Sequence, residues 1–128
     1  KDFFTQYYTI YQNANEYPAL IPQVYLHYDP HARTWRGSNV VYTHQRMDFL
    51  MLLPNGIRVV IEIDGKQHYS EGDISSPKLY AEMMVDTRKL QLKGYEVYRF
   101  GGYEFMDSQQ MKQTVRDFFE MLFKKYSI

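Results

Sequence analysis

Hydrophobic positions recur with a helical period at both ends of the chain. Aromatic residues at positions 3, 4, 7, 8 and 11, followed by Ala14, form a stripe with the 3.6-residue period of a helix. Apolar residues at 111, 115, 118, 119, 122 and 126 form a second stripe. Ser76-Pro77 is a typical helix start and Gly94 a typical helix end, so a third helix is expected over 77–93.

The segments between these helices have the composition of strands. Residues 21–28 predict a short strand, and a polar loop follows over 29–39. A second strand resumes near Val40 or His44 and runs to the turn at Pro54-Asn55-Gly56.

A third strand, 57–64, is rich in β-branched residues, and 95–100 predicts a fourth, whereas 70–76 is a predicted loop. The order α-β-β-β-α-β-α predicts an α/β fold, a mixed central sheet of about four strands flanked by helices.

Length and composition narrow the class of protein. With 128 residues, the chain suits one domain spanning 1–128, and a first residue other than methionine favours a piece cut from a longer protein. There is no cysteine, which excludes disulfides and thiolate metal sites and favours a cytoplasmic location. The sequence contains no apolar run long enough for a membrane span.

The charge balance limits how the chain could bind nucleic acid. Lys+Arg and Asp+Glu both number 15, so the formal net charge is zero. A protein that holds nucleic acid by bulk charge usually has a basic excess. If nucleic acid is the partner, a local patch, an additional domain or a partner protein must supply much of the affinity.

Acidic residues gather on the predicted hairpin of the second and third strands. A turn at 54–57 pairs positions whose numbers sum to about 111, so Asp48 is expected opposite Ile63 and diagonal to Glu62 and Asp64. Carboxylates crowded in this way are best explained by a cation between them, and oxygen ligands suit Mg²⁺ or Mn²⁺. The alternative, equally consistent with the spacing, is a half-exposed hairpin with acids on its wet face.

An ordered set of motifs over about residues 45–105 resembles the PD-(D/E)XK nuclease superfamily, and within it the branch related to very-short-patch-repair endonucleases. The set consists of Asp48-Phe49, EIDGKQH at 62–68, the D-x-R run at 86–88 followed by Gly94-Tyr95, and VYRF at 97–100. The resemblance implies a restriction-endonuclease-like fold and hydrolysis of a phosphodiester bond with a divalent metal ion.

The resemblance also assigns roles to individual residues. Asp48 and Glu62 match the two metal-binding acids, and the backbone carbonyl of Ile63 would be a further ligand. Aspartate stands at position 64, where the superfamily has the lysine of E-x-K. Either Glu62-Ile63-Asp64 is the core and Lys66 or Gln67 supplies the donor, or Asp64-Gly65-Lys66 is itself a D-x-K. The general base, Asp64, Lys66 or His68, stays open.

Several further residues are candidates for supporting roles. His68 and Gln67 could position water or phosphate. Asp86 shares a helical stripe with apolar residues and needs a partner, either His68 in a supporting pair behind the site or Arg99 in a structural ion pair.

The remaining candidates are surface charges and one histidine cluster. Arg88 and Lys89, with Lys93, could line a phosphate groove or simply be solvated. Glu16 could approach the metal from the first helix or be solvated. A zinc site at His27, Asp29 and His31 is disfavoured by the turn signal there.

These observations predict a metal-dependent endonuclease, with DNA favoured as the substrate. An RNA nuclease is one alternative. The other is a non-catalytic module that binds nucleic acid or protein on a nuclease fold, because the net charge is zero and the E-x-K lysine is missing. An effector domain of a larger bacterial protein, for example in antiviral defence, is the expected context.

Overall fold

The computed structural model describes residues 2–12, 15–25, 46–65, 70–71 and 74–128. Lys66, Gln67 and His68, the predicted loop at 29–39 and the disfavoured zinc cluster at His27, Asp29 and His31 lie outside the described residues. The elements are α1 (Asp2–Ile10), β1 (Leu20–Tyr25), β2 (Arg46–Leu53), β3 (Ile57–Asp64), β4 (Ser70–Glu71), β5 (Ile74–Ser75), α2 (Pro77–Leu92), β6 (Tyr95–Gly101) and α3 (Ser108–Lys125).

Four strands form one mixed sheet in the order β1-β2-β3-β6. The β1–β2 and β2–β3 pairs are antiparallel, whereas β3 and β6 are parallel and are connected through α2. The predicted α/β class, the four-stranded mixed sheet and the element order are therefore confirmed. Among the described residues, no helix is both long and apolar enough to cross a lipid bilayer.

Local capping explains where α2 begins and ends. The Ser76 hydroxyl accepts a hydrogen bond from the Leu79 amide at 3.2 Å, which satisfies one of the free N–H groups of the first turn. At the other end Gly94 adopts φ +95°, a conformation that favours glycine. There the Arg58 guanidinium donates to the Lys93 carbonyl at 2.8 Å, and so binds the negative end of the helix dipole.

The sheet is covered by helices on both faces. On the α1/α3 face, Phe3 and Tyr7 of α1 and Phe119 of α3 pack with Phe49 and Ile61 of the sheet in the main core. The opposite face is covered by α2, where Leu90 packs against Met47 and Val60. Full burial of such side chains contributes about 1.5–3 kcal/mol each, so the α1/α3 face supplies most of the apolar stabilisation.

Three features differ from the sequence expectation: the end of α1, the segment 70–76 and the register of β2 with β3. Helix α1 ends at Ile10. Beyond it Tyr11 and Tyr17 pack on each other and on Phe123 of α3. The expected loop at 70–76 contains the short antiparallel pair β4–β5. The β2–β3 register pairs Phe49 with Ile61, one position away from the expected alignment, and the turn that joins the strands has positive φ at Asn55 and Gly56.

Candidate functional site

Strands β2 and β3 separate at the carboxyl end of β3. We call this separation, between Met47–Asp48 of β2 and Glu62–Ile63 of β3, the fork. Pairing between β2 and β3 extends from Leu53–Ile57 only as far as Phe49–Ile61. Beyond that point Met47 of β2 pairs with β1, whereas Glu62 of β3 pairs with β6. The fork therefore leaves backbone groups of two central strands without ladder partners on their facing edges.

Two carboxylates take the place of the missing ladder bonds. The Asp48 amide donates to Glu62 Oε2 at 2.7 Å, and the Ile63 amide donates to Asp48 Oδ2 at 2.9 Å. Buried N–H groups need acceptors, so each acid stabilises the fork at the edge of the opposite strand. The expectation that Asp48 lies opposite Ile63 is wrong by one position, because continuing the observed register places Asp48 opposite Glu62. The two acids are nevertheless brought together, as predicted.

Side-chain alternation breaks at Asp48. Met47 belongs to the cluster under α2, whereas Phe49 belongs to the main core on the opposite face. The neighbouring strand is distorted at the same level, since Gln23, between the paired residues Pro22 and Val24, has φ +50°. Asp48 and Gln23 both line a pocket on the α1/α3 face.

Glu62 is a buried acid with an unusual pKa. Its residue is 6% exposed. The pKa of the Glu62 carboxyl is raised to about 7, mainly by burial; the hydrogen bond from the Asp48 amide opposes the shift and the nearby Asp48 carboxylate adds to it. Asp48 is more accessible, with its side chain 21% exposed, and Arg46 approaches its Oδ1 at 3.7 Å. A cation at the fork would remove the cost of charging Glu62.

Asp64 has a different environment from the other two acids. It is 6% exposed, and its Oδ1 accepts from Arg99 Nη1 at 2.6 Å. Arg99 also donates from Nε to Thr87 Oγ1 at 2.6 Å and from Nη2 to the Met83 carbonyl at 3.3 Å. Arg99 therefore connects Asp64 of β3 to α2, and Asp64 is held in an ion pair on the α2 face.

The side-chain oxygens that could bind a metal ion at the fork belong to two carboxylates, Asp48 and Glu62. Across the residues with described positions, no group of at least three acidic, histidine or cysteine side chains is arranged to hold a metal ion. Asp48 and Glu62 lie across the fork from each other, close enough for the Asp48 charge to raise the pKa of Glu62, and Ile63 follows Glu62 in β3. Mg²⁺ commonly takes one or two protein carboxylates and keeps several waters, so this donor set fits a divalent ion of that type.

The candidates on α2 are divided between surface and interior. Arg88 and Lys89 are exposed, and Asp86 is half-buried. Arg99, one of the two partners proposed for Asp86, forms its ion pair with Asp64. The other proposed partner of Asp86, His68, lies outside the described part. Glu16 is exposed and lies after the end of α1, so it does not point inward as a ligand would.

Three residues at the site are missing from the sequence-based predictions. Arg46 stands two positions before Asp48, and the period of a strand could have indicated their proximity. Thr87 lies inside the D-x-R run, four residues after Met83. Gln23 has no sequence signal, because nothing in its neighbours requires a positive φ.

The site thus combines a reciprocal carboxylate pair at a strand fork with a buried Asp64–Arg99 ion pair behind it. Comparison with protein-family models, with curated proteins and with solved structures finds no match for this chain.

Proposed function

We propose that this chain is a divalent-metal-dependent endonuclease domain with a restriction-endonuclease-like fold, and that DNA is its substrate. The observation that supports this most is the fork, where Asp48 and Glu62 meet at a break between two central strands. Burial raises the pKa of the Glu62 carboxyl, and a cation bound at the fork would offset the cost of charging it. The motif resemblance around 48 and 62–68 supports the same assignment.

Asp48 and Glu62 would hold Mg²⁺ or Mn²⁺, with the Ile63 carbonyl as a third candidate ligand. When bound, the ion supplies a water of lowered pKa and neutralises charge on the phosphate. The side chains hold their positions through the two backbone hydrogen bonds across the fork. The site is thus preorganised to orient an ion without large strand movements.

Asp64 acts as a positioning residue in this proposal. Its carboxylate is bound by Arg99, so it is poorly placed to accept a proton from water. The pair fixes the end of β3 against α2 through Thr87. Lys66 and His68 remain the candidates for orienting the attacking water. The Asp64–Arg99 ion pair favours the alignment in which Glu62-Ile63-Asp64 is the core of the motif over the one in which Asp64-Gly65-Lys66 is a D-x-K.

Substrate binding would depend on local charge and on further domains. Arg88 and Lys89 are exposed on α2, and could contact phosphates. The net charge of zero means that additional domains or a partner protein supply the remaining affinity. A cytoplasmic effector role, for example in defence against phage, is the setting that we propose.

The test is cleavage of DNA by matched variants. Glu62→Gln keeps the shape of the side chain and removes its charge. It is expected to lower Mn²⁺-dependent cleavage of plasmid DNA by at least about a hundredfold, because metal affinity depends on that charge. Glu120→Gln, a neutralisation on the exposed surface of α3, is the control. A folded Glu62→Gln protein with wild-type cleavage would refute the site. Parallel digestion of duplex DNA, single-stranded DNA and RNA compares the substrate classes.

A non-catalytic module is the second candidate, and one observation favours it. Asp64 is bound by Arg99, so Asp48 and Glu62 are the two described carboxylates that remain at the fork, where a nuclease often uses three ligands or more. Calorimetric titration with Mn²⁺ separates the two functions. Heat of binding that disappears in Glu62→Gln supports the nuclease, whereas the absence of binding in the wild type supports the module.

A further inference from the structure

A pocket opens on the α1/α3 face directly beside the fork. It has a volume of about 640 Å³, and Asp48 and Ile63 contribute to its wall. Phe4 of α1, Phe105 and Met111 form much of the rest, together with Gln23 of β1. The pocket therefore shares Asp48 with the carboxylate pair and Ile63 with the fork. A molecule whose charged group lies at the fork could place an adjacent group in this pocket.

Gln23 has a backbone conformation that calls for an explanation. Its φ of +50° is uncommon for a residue other than glycine, and asparagine, aspartate and histidine tolerate it better than glutamine does. Strain of this kind concentrates at ligand-binding positions. In this protein the strained residue is at such a position, because the exposed Gln23 lines the same pocket as Asp48.

The chemistry of the wall selects a flat and weakly polar ligand. Phe4 and Phe105 are half-buried, so part of each ring is accessible. The Gln23 amide offers both a donor and an acceptor. Of the described charged residues, Asp48 alone lines the pocket, and its charge disfavours a phosphate there. A heteroaromatic ring with donors and acceptors on its edge satisfies all of these features.

We propose that this pocket binds one unpaired nucleobase of the substrate, next to the scissile phosphate. The base stacks on Phe4 or Phe105, and the Gln23 amide hydrogen-bonds its edge. This inference rests on the proposed nuclease function, because the phosphate is taken to lie at Asp48 and Glu62. A base in this pocket is out of its stack, so single-stranded or locally opened substrate is preferred over intact duplex.

Methionine-methyl NMR tests base binding independently of cleavage. Deoxynucleosides have no phosphate, so their binding does not require a metal ion at the fork. We expect them to shift the methyl signal of Met111 in the pocket, while Met121, 73% exposed on α3, stays unchanged. If none of the four deoxynucleosides moves Met111, the proposal is wrong. If N-acetyl-phenylalaninamide moves Met111 as strongly, the pocket accepts any aromatic group and the proposal is also wrong.

Gln23→Gly is the informative variant, because glycine accepts the positive φ, so the side chain with its amide is removed without straining the backbone. It is expected to weaken nucleoside binding about fivefold or more, equivalent to the loss of a single hydrogen bond. Asn55→Gly is the matched control, since Asn55 also has a positive φ, +67°, at the turn between β2 and β3. Equal nucleoside affinity in wild type and Gln23→Gly would exclude the role of the amide.

Cleavage then tests the link to the fork. The wild type is expected to cut an oligonucleotide with an abasic site beside the scissile phosphate at least about tenfold more slowly than the intact strand. Gln23→Gly is expected to cut the abasic strand at a rate similar to that of the wild type. Equal rates on abasic and intact strands overturn the proposal. If nothing is cleaved but Met111 still responds to nucleosides and not to the phenylalanine derivative, the base site stands and the nuclease assignment fails.

Discussion

Asp48 and Glu62 each stabilise the strand to which the other belongs. The Glu62 carboxylate of β3 accepts from the Asp48 amide of β2, and the Asp48 carboxylate accepts from the Ile63 amide of β3. In a regular antiparallel pair, backbone carbonyls would make these bonds. Because the carboxylates make them, the two strands separate at the site, and the acids serve the fold as well as any ligand they bind.

Replacing Asp48 should separate these two roles. Asp48→Ala leaves the Ile63 amide without its acceptor and is expected to lower the free energy of unfolding by about 1–3 kcal/mol. Asp48→Asn keeps an acceptor oxygen and should cost less than half as much, although it loses metal binding. Urea denaturation without metal measures both variants. Equal losses for alanine and asparagine would mean that the hydrogen bond does not stabilise the fork.

Glu62 should make the metal-free protein less stable as the pH rises. Its pKa is raised from 4.5 to about 7 in the folded chain, so the folded state holds the proton more tightly than the unfolded state. The protonated Glu62 carboxyl contributes up to about 3 kcal/mol to the free energy of unfolding. This contribution is complete below pH about 4.5 and is lost as the pH rises through about 7.

The difference between wild type and Glu62→Gln isolates this effect, because glutamine does not titrate and the other acids are common to both proteins. Denaturant midpoints at pH 5, 6, 7 and about 8 in the presence of a chelator measure it. The wild type should lose stability relative to the variant across this range. A constant difference would show that the Glu62 carboxyl is not perturbed.

The Asp64–Arg99 ion pair should be strongly coupled. Both side chains are largely buried, so Arg99→Leu removes the cation that pairs with the Asp64 charge and should cost about 3–5 kcal/mol. Asp64→Asn in the same chain removes that charge and should recover a substantial part of the loss. Thermal unfolding of the two single variants and the double variant completes the cycle. Additive effects would show that the pair contributes no coupling energy.

The sequence was sufficient for most of the fold, for identifiable physical reasons. The Ser76 cap and Gly94 fix the ends of α2, and the apolar stripe of α3 is regular, so local chemistry determines these elements. The end of α1 could not be predicted, because it depends on Tyr11 and Tyr17 packing against Phe123, far away in the chain.

The candidate site was only partly predictable. Period-two alternation and the turn bring Asp48 to Glu62, and the structure confirms that they meet. The same alternation predicts that Asp64 joins them, but Arg99 binds it on the α2 face. The positive φ of Gln23 and the separation of β2 from β3 are not encoded in any local sequence pattern. Functional sites are expected to violate local rules in this way.

Gly94 should be intolerant of any side chain. Its φ is +95°, and a Cβ built there would lie 2.6 Å from Arg58 Nη2, the group that binds the Lys93 carbonyl. Gly94→Ala is therefore expected to destabilise the protein by about 1–3 kcal/mol, because it strains the backbone and displaces the guanidinium from the end of α2. Gly101→Ala, where the nearest atom to the new Cβ is 4.0 Å away, should change stability little. Denaturant unfolding of the two variants measures the contrast, and equal stabilities would refute this account of how α2 ends.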